Sequence, residues 1–550
     1  MKKLVVLLPS LQKYEIVGNA DIEISAIEFD TRKIQRDDSL AAVPLYVAQR
    51  GTQTDGHKYI PQAIAAGAGA VVCEELPAEV NPAVTYIVVP DSSIALGRLA
   101  SAFYDYPSRQ LKLVGITGTN GKTTTVTLLH RLLSDLGCHV GMLSTIVNKV
   151  GDKVVPATHT TPDAVELNSL LRQMVDDGCE YCFMEVSSHS ICQHRIEGLH
   201  FTGGIFSNIT HDHLDFHKTF ANYIKAKKAF FDNLPDTAFA LTNIDDKNGK
   251  VMVQETHATV HTYSLMAHAD FKGRIIDNAF EGLQMSINNK EAYFKLCGRF
   301  NAYNLLAIYG TAVLLGFEPM EVLAKMSALN PAAGRFQLLR NDRKCTAVID
   351  YAHTPDALKN VLMTIRDITK PEVEVITVVG CGGDRDALKR PVMAEIACTY
   401  SHKVILTSDN PRTEDPNKIL EDMQKGIPAD FKRNVLVIEN RREAIKTACM
   451  MLADGGVLLV AGKGHENYQE INHVKHHFDD IEVVRHASKP NFYGVTLKQG
   501  WNSSTYSDEG IVFIVWDFTD EFNPKILVRT WQPMDVEEKD VFKLSNFKLN

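Results

Sequence analysis

The sequence carries no excess of positive charge. Its 58 Lys and Arg are outnumbered by 67 Asp and Glu, for a net charge of -9. That argues against nucleic acid as the main partner, because a phosphate backbone needs a basic surface. Small anionic ligands are not excluded, since they need only a local positive pocket. There is also no long hydrophobic run. The opening "MKKLVVLLPSLQKYEIVG" is too short to span a bilayer and no small-residue cleavage site follows it. The expectation is a cytoplasmic protein with no membrane insertion. The ten cysteines are scattered, and Cys179 and Cys182 form a lone CxxC with no second pair at zinc spacing. They read as buried thiols in a reducing compartment. Tryptophan is missing until Trp501, Trp516 and Trp531.

What remains is an ordinary globular composition, 45% hydrophobic and 23% charged over 550 residues. Such a length allows three or four domains at roughly 150 residues each. Residues 1–106 read as a small α/β unit, with strand-like "AIEFDTR" and "PLYVAQRG" and a helix and strand in "YIPQAIAAGAGAVVCEE". The phrase "YDYPSRQLKLVGITG" marks a boundary. Across residues 107–332 apolar strands ("LVGITG", "HVGMLST", "YCFMEVSS", "GGIFSNIT", "TAFALTN") alternate with amphipathic helices, which predicts a parallel sheet covered by helices. Residues 333–487 repeat the pattern as a doubly wound sheet. Residues 488–550 differ: "GIVFIVWDF" and "PKILVRTW" look like two β-strands and carry no catalytic pattern.

The strongest single signal is "GITGTNGKTTT". Gly115, Gly118 and Gly121 allow a tight turn and close approach of backbone N–H groups to phosphate, with Thr119 and Asn120 between. Lys122 can bridge terminal phosphates, and Thr123 or Thr124 can offer a hydroxyl to Mg²⁺. A strand before and a helix after complete a phosphate-binding loop. By itself the loop fits a motor, a switch, a kinase or a ligase.

The form GTNGKTTT resembles that of the Mur ligase family and its relative folylpolyglutamate synthetase, and later motifs agree in order. "HTTPDAVELN" supplies Thr160 and Thr161; "MEVSSHSICQHRIEG" supplies Glu185, Ser187, His189, Gln193 and Arg195; "NITHDHLDFH" supplies His213; "NYIKAKKAFF" supplies Lys227. Singly, each is weak: a glutamate at a strand end is an ordinary solvated side chain, and Lys227 an ordinary surface lysine. Together they resemble the family's central domain. The resemblance implies a three-domain architecture: a small α/β uridine-nucleotide domain, a central ATP-binding P-loop parallel-sheet domain, and a C-terminal Rossmann-like domain, here with a short β-rich tail. It implies ATP with two Mg²⁺ ions, held in part by Thr123, Glu185, His213 and Lys227, the last as a carbamate formed with CO₂. A carbamate offers Mg²⁺ hard anionic oxygens where an ammonium would repel it. By the same resemblance Asn301, Asn304, Arg335, Asp350, Tyr351 and His353 belong to the ATP site. Phe29, Thr31, Thr52, Gln53 and Thr54 would contact a UDP-sugar, together with Thr160, Thr161, Ser187, Gln193 and Arg195.

The resemblance covers about residues 20 to 485. It points to the branch that adds meso-diaminopimelate to UDP-N-acetylmuramoyl-L-alanyl-D-glutamate in peptidoglycan precursor synthesis. ATP would convert a carboxylate to an acyl phosphate, which an amine then attacks. The third domain is expected to close over ATP, because water would destroy the acyl phosphate. Which amine is accepted should depend on three strand ends in that domain: Arg385 in "VVGCGGDRDALKRP", Asp409, Asn410, Pro411 and Arg412 in "LTSDNPRTEDP", and Gly462 and Glu466 in "AGKGHENYQ". Two guanidinium groups, two carboxylates and an amide suit a zwitterion. Arg412 can pair bidentately with a distal carboxylate that lysine lacks. Family members that accept diaminopimelate carry DNPR here.

The alternatives are an L-lysine-adding member, folylpolyglutamate synthetase, and a non-catalytic P-loop scaffold. A scaffold would be expected to have lost Lys122, Glu185, His213 or Lys227, and all are present. Two departures stand out. "QRDDSLAAVPLYVA" is longer and less regular than the family's usual link, and the tail has no counterpart. The protein is expected to act as a monomer. Deleting residues 490–550 should therefore leave turnover unchanged; a truncated chain that folds but has lost activity would give the tail a part in the reaction.

Overall fold

A computed structural model describes residues 1–37, 39–51, 54–210, 212–487, 511–517 and 525–531. Thr52 and Gln53 of the expected UDP-sugar contacts lie outside the described residues, as does most of the tail. No helix among the described residues is long and apolar enough to cross a membrane.

Three sheets succeed one another along the chain. The first has six strands in the order Lys2–Lys3, Glu23–Glu28, Val43–Val47, Ala70–Cys73, Thr85–Val88, Glu15–Val17. The inner four are parallel and the two outer strands antiparallel. The opening apolar run gives only its leucines to the core: Leu4 and Leu7, on the short helix Leu4–Leu7, are fully buried, while Val5 and Val6 between them are exposed. The irregular link before Val43 enters its strand beside a register shift between Ile24 and Ala26.

The second sheet has eleven strands. Its six central strands are parallel, in the order Val140–Leu143, Tyr181–Glu185, Lys112–Thr117, Gly203–Phe206, Phe239–Asn243, Thr259–Ser264. Strands covered on both faces are apolar throughout rather than alternating, and every residue of Tyr181–Glu185, Gly203–Phe206 and Phe239–Asn243 is buried. Helices Lys122–Asp135 and Arg299–Leu314 cover one face through Leu128, Leu129, Leu305 and Ile308. Helices Ala164–Asp176 and Phe220–Asp232 cover the other through Leu167, Leu171, Phe230 and Phe231.

The sheet is larger than the sequence pattern predicts. Thr259–Ser264 escapes a search for apolar runs because its first two residues, Thr259 and Val260, are exposed and most of its side chains are polar. An antiparallel meander, Phe271–Ala279, Gly282–Ile287 and Lys290–Phe294, extends one edge. Its signal is present in the sequence. Asn288 and Asn289 take φ values of 45° and 64°, and two asparagine-type residues at positive φ make the tight turn that matches strand twist.

The third sheet runs Gln337–Arg340, Thr346–Asp350, Val457–Ala461, Val375–Val379, Lys403–Leu406, Val435–Val437. All its neighbours are parallel except the first pair. In the tail, Ile511–Asp517 and Lys525–Trp531 form an antiparallel two-stranded sheet of their own, as the sequence suggests.

One ion pair fastens the third unit. Arg441 and Asp480 are both wholly buried, joined by Nε–Oδ1 and Nη2–Oδ2 bonds of 2.8 Å each, and Arg441 Nη2 also donates to the Ala461 carbonyl at 2.9 Å. Removing one partner strands a buried charge, at a cost of about 3–5 kcal/mol. Asp480→Ala should lower the denaturant midpoint accordingly, and the double variant Arg441→Met, Asp480→Leu should recover most of the loss. A midpoint unchanged in Asp480→Ala would show that the pair contributes nothing net.

Candidate active site

A cavity of about 930 Å³ lies between the central and third units. Open parallel sheets gather ligands beyond the carboxyl ends of their strands, and the loops and helix starts beyond those ends wall this cavity. Strand Lys112–Thr117 leads into the glycine loop, which delivers Lys122 to the start of helix Lys122–Asp135. Gly118 is at φ 150°, and a Cβ there would strike Ser207 Oγ and the Asn208 backbone. Asn208 holds the loop with three bonds: its carbonyl accepts from Thr119 N (2.8 Å), its Oδ1 from Asn120 N (3.0 Å), and its Nδ2 donates to Asn120 O (3.1 Å). Gly121, at φ 90°, lies against the Asn304 amide.

Two lysines meet at this loop. Lys122 Nζ donates to the carbonyls of Gly118 (2.9 Å) and Thr119 (2.8 Å). Lys227 Nζ donates to the same Gly118 carbonyl (2.9 Å) and to Thr117 Oγ1 (3.3 Å), with its ammonium 4.9 Å from the centre of the Tyr223 ring. Lys227 is only 1% exposed, which overturns the surface-lysine reading. Burial, and then the neighbouring Lys122, push its amine well below the ordinary lysine range; Asp212 opposes this. Burial lowers Lys122 as well, against the pull of Glu185 and Asp212.

Glu185 ends strand Tyr181–Glu185 and is buried, with Oε1 accepting from Thr145 N (2.8 Å) and Oε2 from Thr145 Oγ1 (3.2 Å). His213 has φ 53°, its Nε2 3.4 Å from Asp212 Oδ2 and its ring 4.9 Å from that of His189. Burial holds the His213 imidazole down at about 4, so it is neutral at pH 7. Glu185, His213, Lys227 and Thr123 all face the cavity. A buried carboxylate, a neutral imidazole and a hydroxyl, beside an amine that burial presses toward its neutral form, are a donor set that fits hard divalent cations.

The third unit reaches the glycine loop directly. Arg335 Nη2 donates to Thr123 Oγ1 at 3.0 Å while its guanidinium stacks 4.5 Å from the Tyr351 ring centre. His353 lines the cavity with Nδ1 at 2.8 Å from Tyr351 O. Asp350 does not line it: both carboxylate oxygens accept backbone N–H bonds, from Phe336 (2.7 Å) and Ala352 (2.8 Å). Phe336 is held at φ 48°, a conformation that costs about 1–2 kcal/mol for a residue with a Cβ, so Asp350 shapes the chain that presents Arg335. Asn301 and Asn304 lie outside the wall, buried and bonded to each other at 3.0 Å.

The strand ends of the third sheet converge as expected. Arg385, Asp409, Asn410, Arg412, Gly462 and Glu466 all line the cavity, and Pro411 does not. Arg412 has φ 51° and is pinned by backbone bonds to Glu470 O (3.0 Å) and from Asn472 N (2.7 Å); its Nη1 donates to Gly383 O (2.8 Å). One expectation needs correction. Asp409, Asn410 and Glu466 are not simply open to a ligand cation, because Lys463, wholly buried beneath them, already contacts all three.

The expected UDP-sugar residues divide. Thr160 and Ser187 face the cavity. Thr161 is not a free donor: it is 1% exposed and its hydroxyl bonds to Glu185 O at 2.8 Å. Arg195 holds the Thr161 carbonyl at 2.8 Å, and neither it nor Gln193 lines the wall. Phe29, Thr31 and Thr54 belong to the first unit and lie outside the cavity. That unit is tied to the central one by Arg98–Glu197 at 2.7 Å.

Sequence reasoning missed Lys463 and Asp356. Asp356 Oδ2 accepts from Asn120 Nδ2 (3.0 Å) and Thr210 Oγ1 (3.2 Å), bridging the third unit to the glycine loop. Lys463 stands inside "AGKGHENYQ" and Asp356 just after His353, each between chemically louder neighbours.

Comparisons with known proteins agree along the chain. Residues 23–104 match the catalytic domain of the Mur ligase family, residues 116–312 the Mur ligase middle domain, and residues 334–464 the Mur ligase glutamate ligase domain. A protein of Bacteroides fragilis named UDP-N-acetylmuramoyl-L-alanyl-D-glutamate--2,6-diaminopimelate ligase is 54% identical over 483 residues, 88% of this chain and 98% of that protein. One of the same name from Cytophaga hutchinsonii is 56% identical over 471 residues, 86% of this chain and 96% of that protein. A solved structure of an enzyme of that name superposes with a TM-score of 0.60 at 33% identity, covering 84% of this chain and 94% of its own.

Proposed function

Because the chain belongs to the Mur ligase family, we propose that it adds meso-diaminopimelate to UDP-N-acetylmuramoyl-L-alanyl-D-glutamate, at the expense of ATP, in peptidoglycan precursor synthesis. The observation that carries this reading is one cavity lined both by the phosphate loop and by the Arg385–Asp409–Arg412–Glu466 cluster. The relatives' shared name agrees with it. The substrates are soluble nucleotides and an amino acid, so the work belongs in the cytoplasm, and a single chain holds the whole cavity.

The chemical problem is that a carboxylate is a poor electrophile. The D-glutamyl γ-carboxylate oxygen attacks the γ-phosphorus, the bond to the ADP oxygen breaks, and an acyl phosphate forms. The amine of the amino acid then attacks the acyl carbon; phosphate leaves with the C–O bond pair and the nitrogen loses a proton. The first step brings anion against anion. Lys122 and the backbone N–H groups of the glycine loop offset that repulsion. Thr123, Glu185, His213 and a carbamate on Lys227 would hold two Mg²⁺ ions, which supply further neutralisation of phosphate charge. Burial and the neighbouring Lys122 press the Lys227 amine toward its neutral form, whose lone pair addition to CO₂ requires. Arg335, Tyr351 and His353, from the third unit, cover the nucleotide end and keep water from the acyl phosphate.

Selection of the amine rests on Arg412. Its backbone is fixed, and its guanidinium, which meets Gly383 O at 2.8 Å and Glu470 Oε2 at 3.6 Å, can also take the distal carboxylate of diaminopimelate, which L-lysine lacks. An amino-acid panel tests this. Phosphate release with meso-diaminopimelate should exceed that with L-lysine, and equal or faster turnover with L-lysine would reassign the enzyme to the lysine-adding branch. Arg412→Ala should raise the diaminopimelate KM about 10- to 100-fold, the loss of a charge-assisted pair. Lys227→Ala should abolish turnover in a way that added bicarbonate does not restore; full activity in that variant would remove the carbamate from the reaction.

A further inference from the structure

We propose that Lys463 is a positioning residue of the amine site, whose buried ammonium fixes the polarity of Asn410 and Glu466 so that Glu466 keeps one carboxylate oxygen for the ammonium of the incoming amino acid. This rests on the reading of the site as an amine site.

Lys463 follows strand Val457–Ala461, between Gly462 at φ 117° and Gly464 at φ 54°. It is 0% exposed. A lysine ammonium has three N–H donors, and three acceptors surround this one: Asn410 Oδ1 at 2.9 Å, Glu466 Oε2 at 3.3 Å and Asp409 Oδ1 at 3.4 Å. Asn410 Oδ1 takes a second bond from Glu470 N at 3.0 Å. Two donors converging on one atom identify it as the carbonyl oxygen, so the orientation of the amide is not arbitrary. Its Nδ2 is thereby turned to Glu466 Oε2, at 2.9 Å. Oε2 of Glu466 is thus held by Asn410 and Lys463, and among the described residues none donates to Oε1.

The charges point the same way. Asp409 and Glu466 bring two negative charges and Lys463 one positive, while nearby Arg441 is neutralised by Asp480. Lys463, Asp409 and Glu466 together carry one negative charge, enough for one ligand ammonium, and Arg412, 3.6 Å from Glu470 Oε2, stands beside them for a carboxylate. Without Lys463, two buried carboxylates would face each other uncompensated, and Asn410 could turn over and present its amide donors to Asp409 or to the ligand. The buried amine therefore acts on the ligand through its neighbours.

The test is steady-state kinetics on the full chain with Lys463→Met and, because a buried charge cluster is being altered, also Lys463→Gln, which keeps a donor without the charge. The expected result is a rise of about 10- to 100-fold in the KM for meso-diaminopimelate, with the KM for ATP and for the UDP-linked dipeptide within about twofold of the parent. Lys463→Arg, which retains the charge, should recover part of the loss. A folded Met or Gln variant whose amino-acid KM is unchanged, or one that raises all three KM values alike, overturns the proposal. Parent protein that releases no phosphate with meso-diaminopimelate would instead overturn the functional reading, before any variant is measured.

Discussion

Two lysine side chains, Lys122 and Lys227, donate to one backbone carbonyl, that of Gly118. Among the described residues neither has a carboxylate within ion-pair distance. Like charges gathered in a poorly solvated place are unfavourable unless something anionic joins them. The rest of the site can be understood as a response to that constraint. Asn208 and Ser207 hold the loop from one side, Glu185 and Asp212 lend negative charge from further off, and Arg335 adds another cation from the third unit. A bound triphosphate would relieve the tension between the two amines.

The same constraint explains the layout of the three sheets. The glycine loop needs a strand buried on both faces to anchor it, and Lys112–Thr117 lies at the middle of the parallel strands. The third sheet turns the ends of its strands toward that loop, so the groups proposed for the amine and those of the glycine loop share one cavity without sharing a sheet. Asp350 shows how local sequence serves this arrangement. Its carboxylate accepts from the N–H of Phe336, held at φ 48°, and the preceding residue, Arg335, donates to Thr123.

Much of this was legible in the sequence, for a physical reason. Lys122, Glu185 and Arg412 sit at strand ends inside short motifs whose geometry is local. The parallel strands of the central sheet announce themselves as apolar runs. What was not legible depends on distant partners. Lys463 acquires meaning from Asn410, 53 positions away, and Asp356 from Asn120, 236 positions away. Thr161 looked like a ligand donor because nothing in its neighbourhood shows that its hydroxyl is taken by the Glu185 carbonyl. The meander at residues 271–294 was hidden by an expectation of continued parallel alternation, although its paired asparagines were there to be read.

The groups assigned to the amine all stand on turns that come after strands Val375–Val379, Lys403–Leu406 and Val457–Ala461, and none lies within a strand. The strands themselves are fully buried or nearly so and carry the packing. Selectivity and stability are therefore written in different stretches of the chain. A lineage could exchange one amine for another by replacing three short turns while the sheet beneath them goes untouched, which is how a single scaffold can supply cell walls of different cross-linking chemistry.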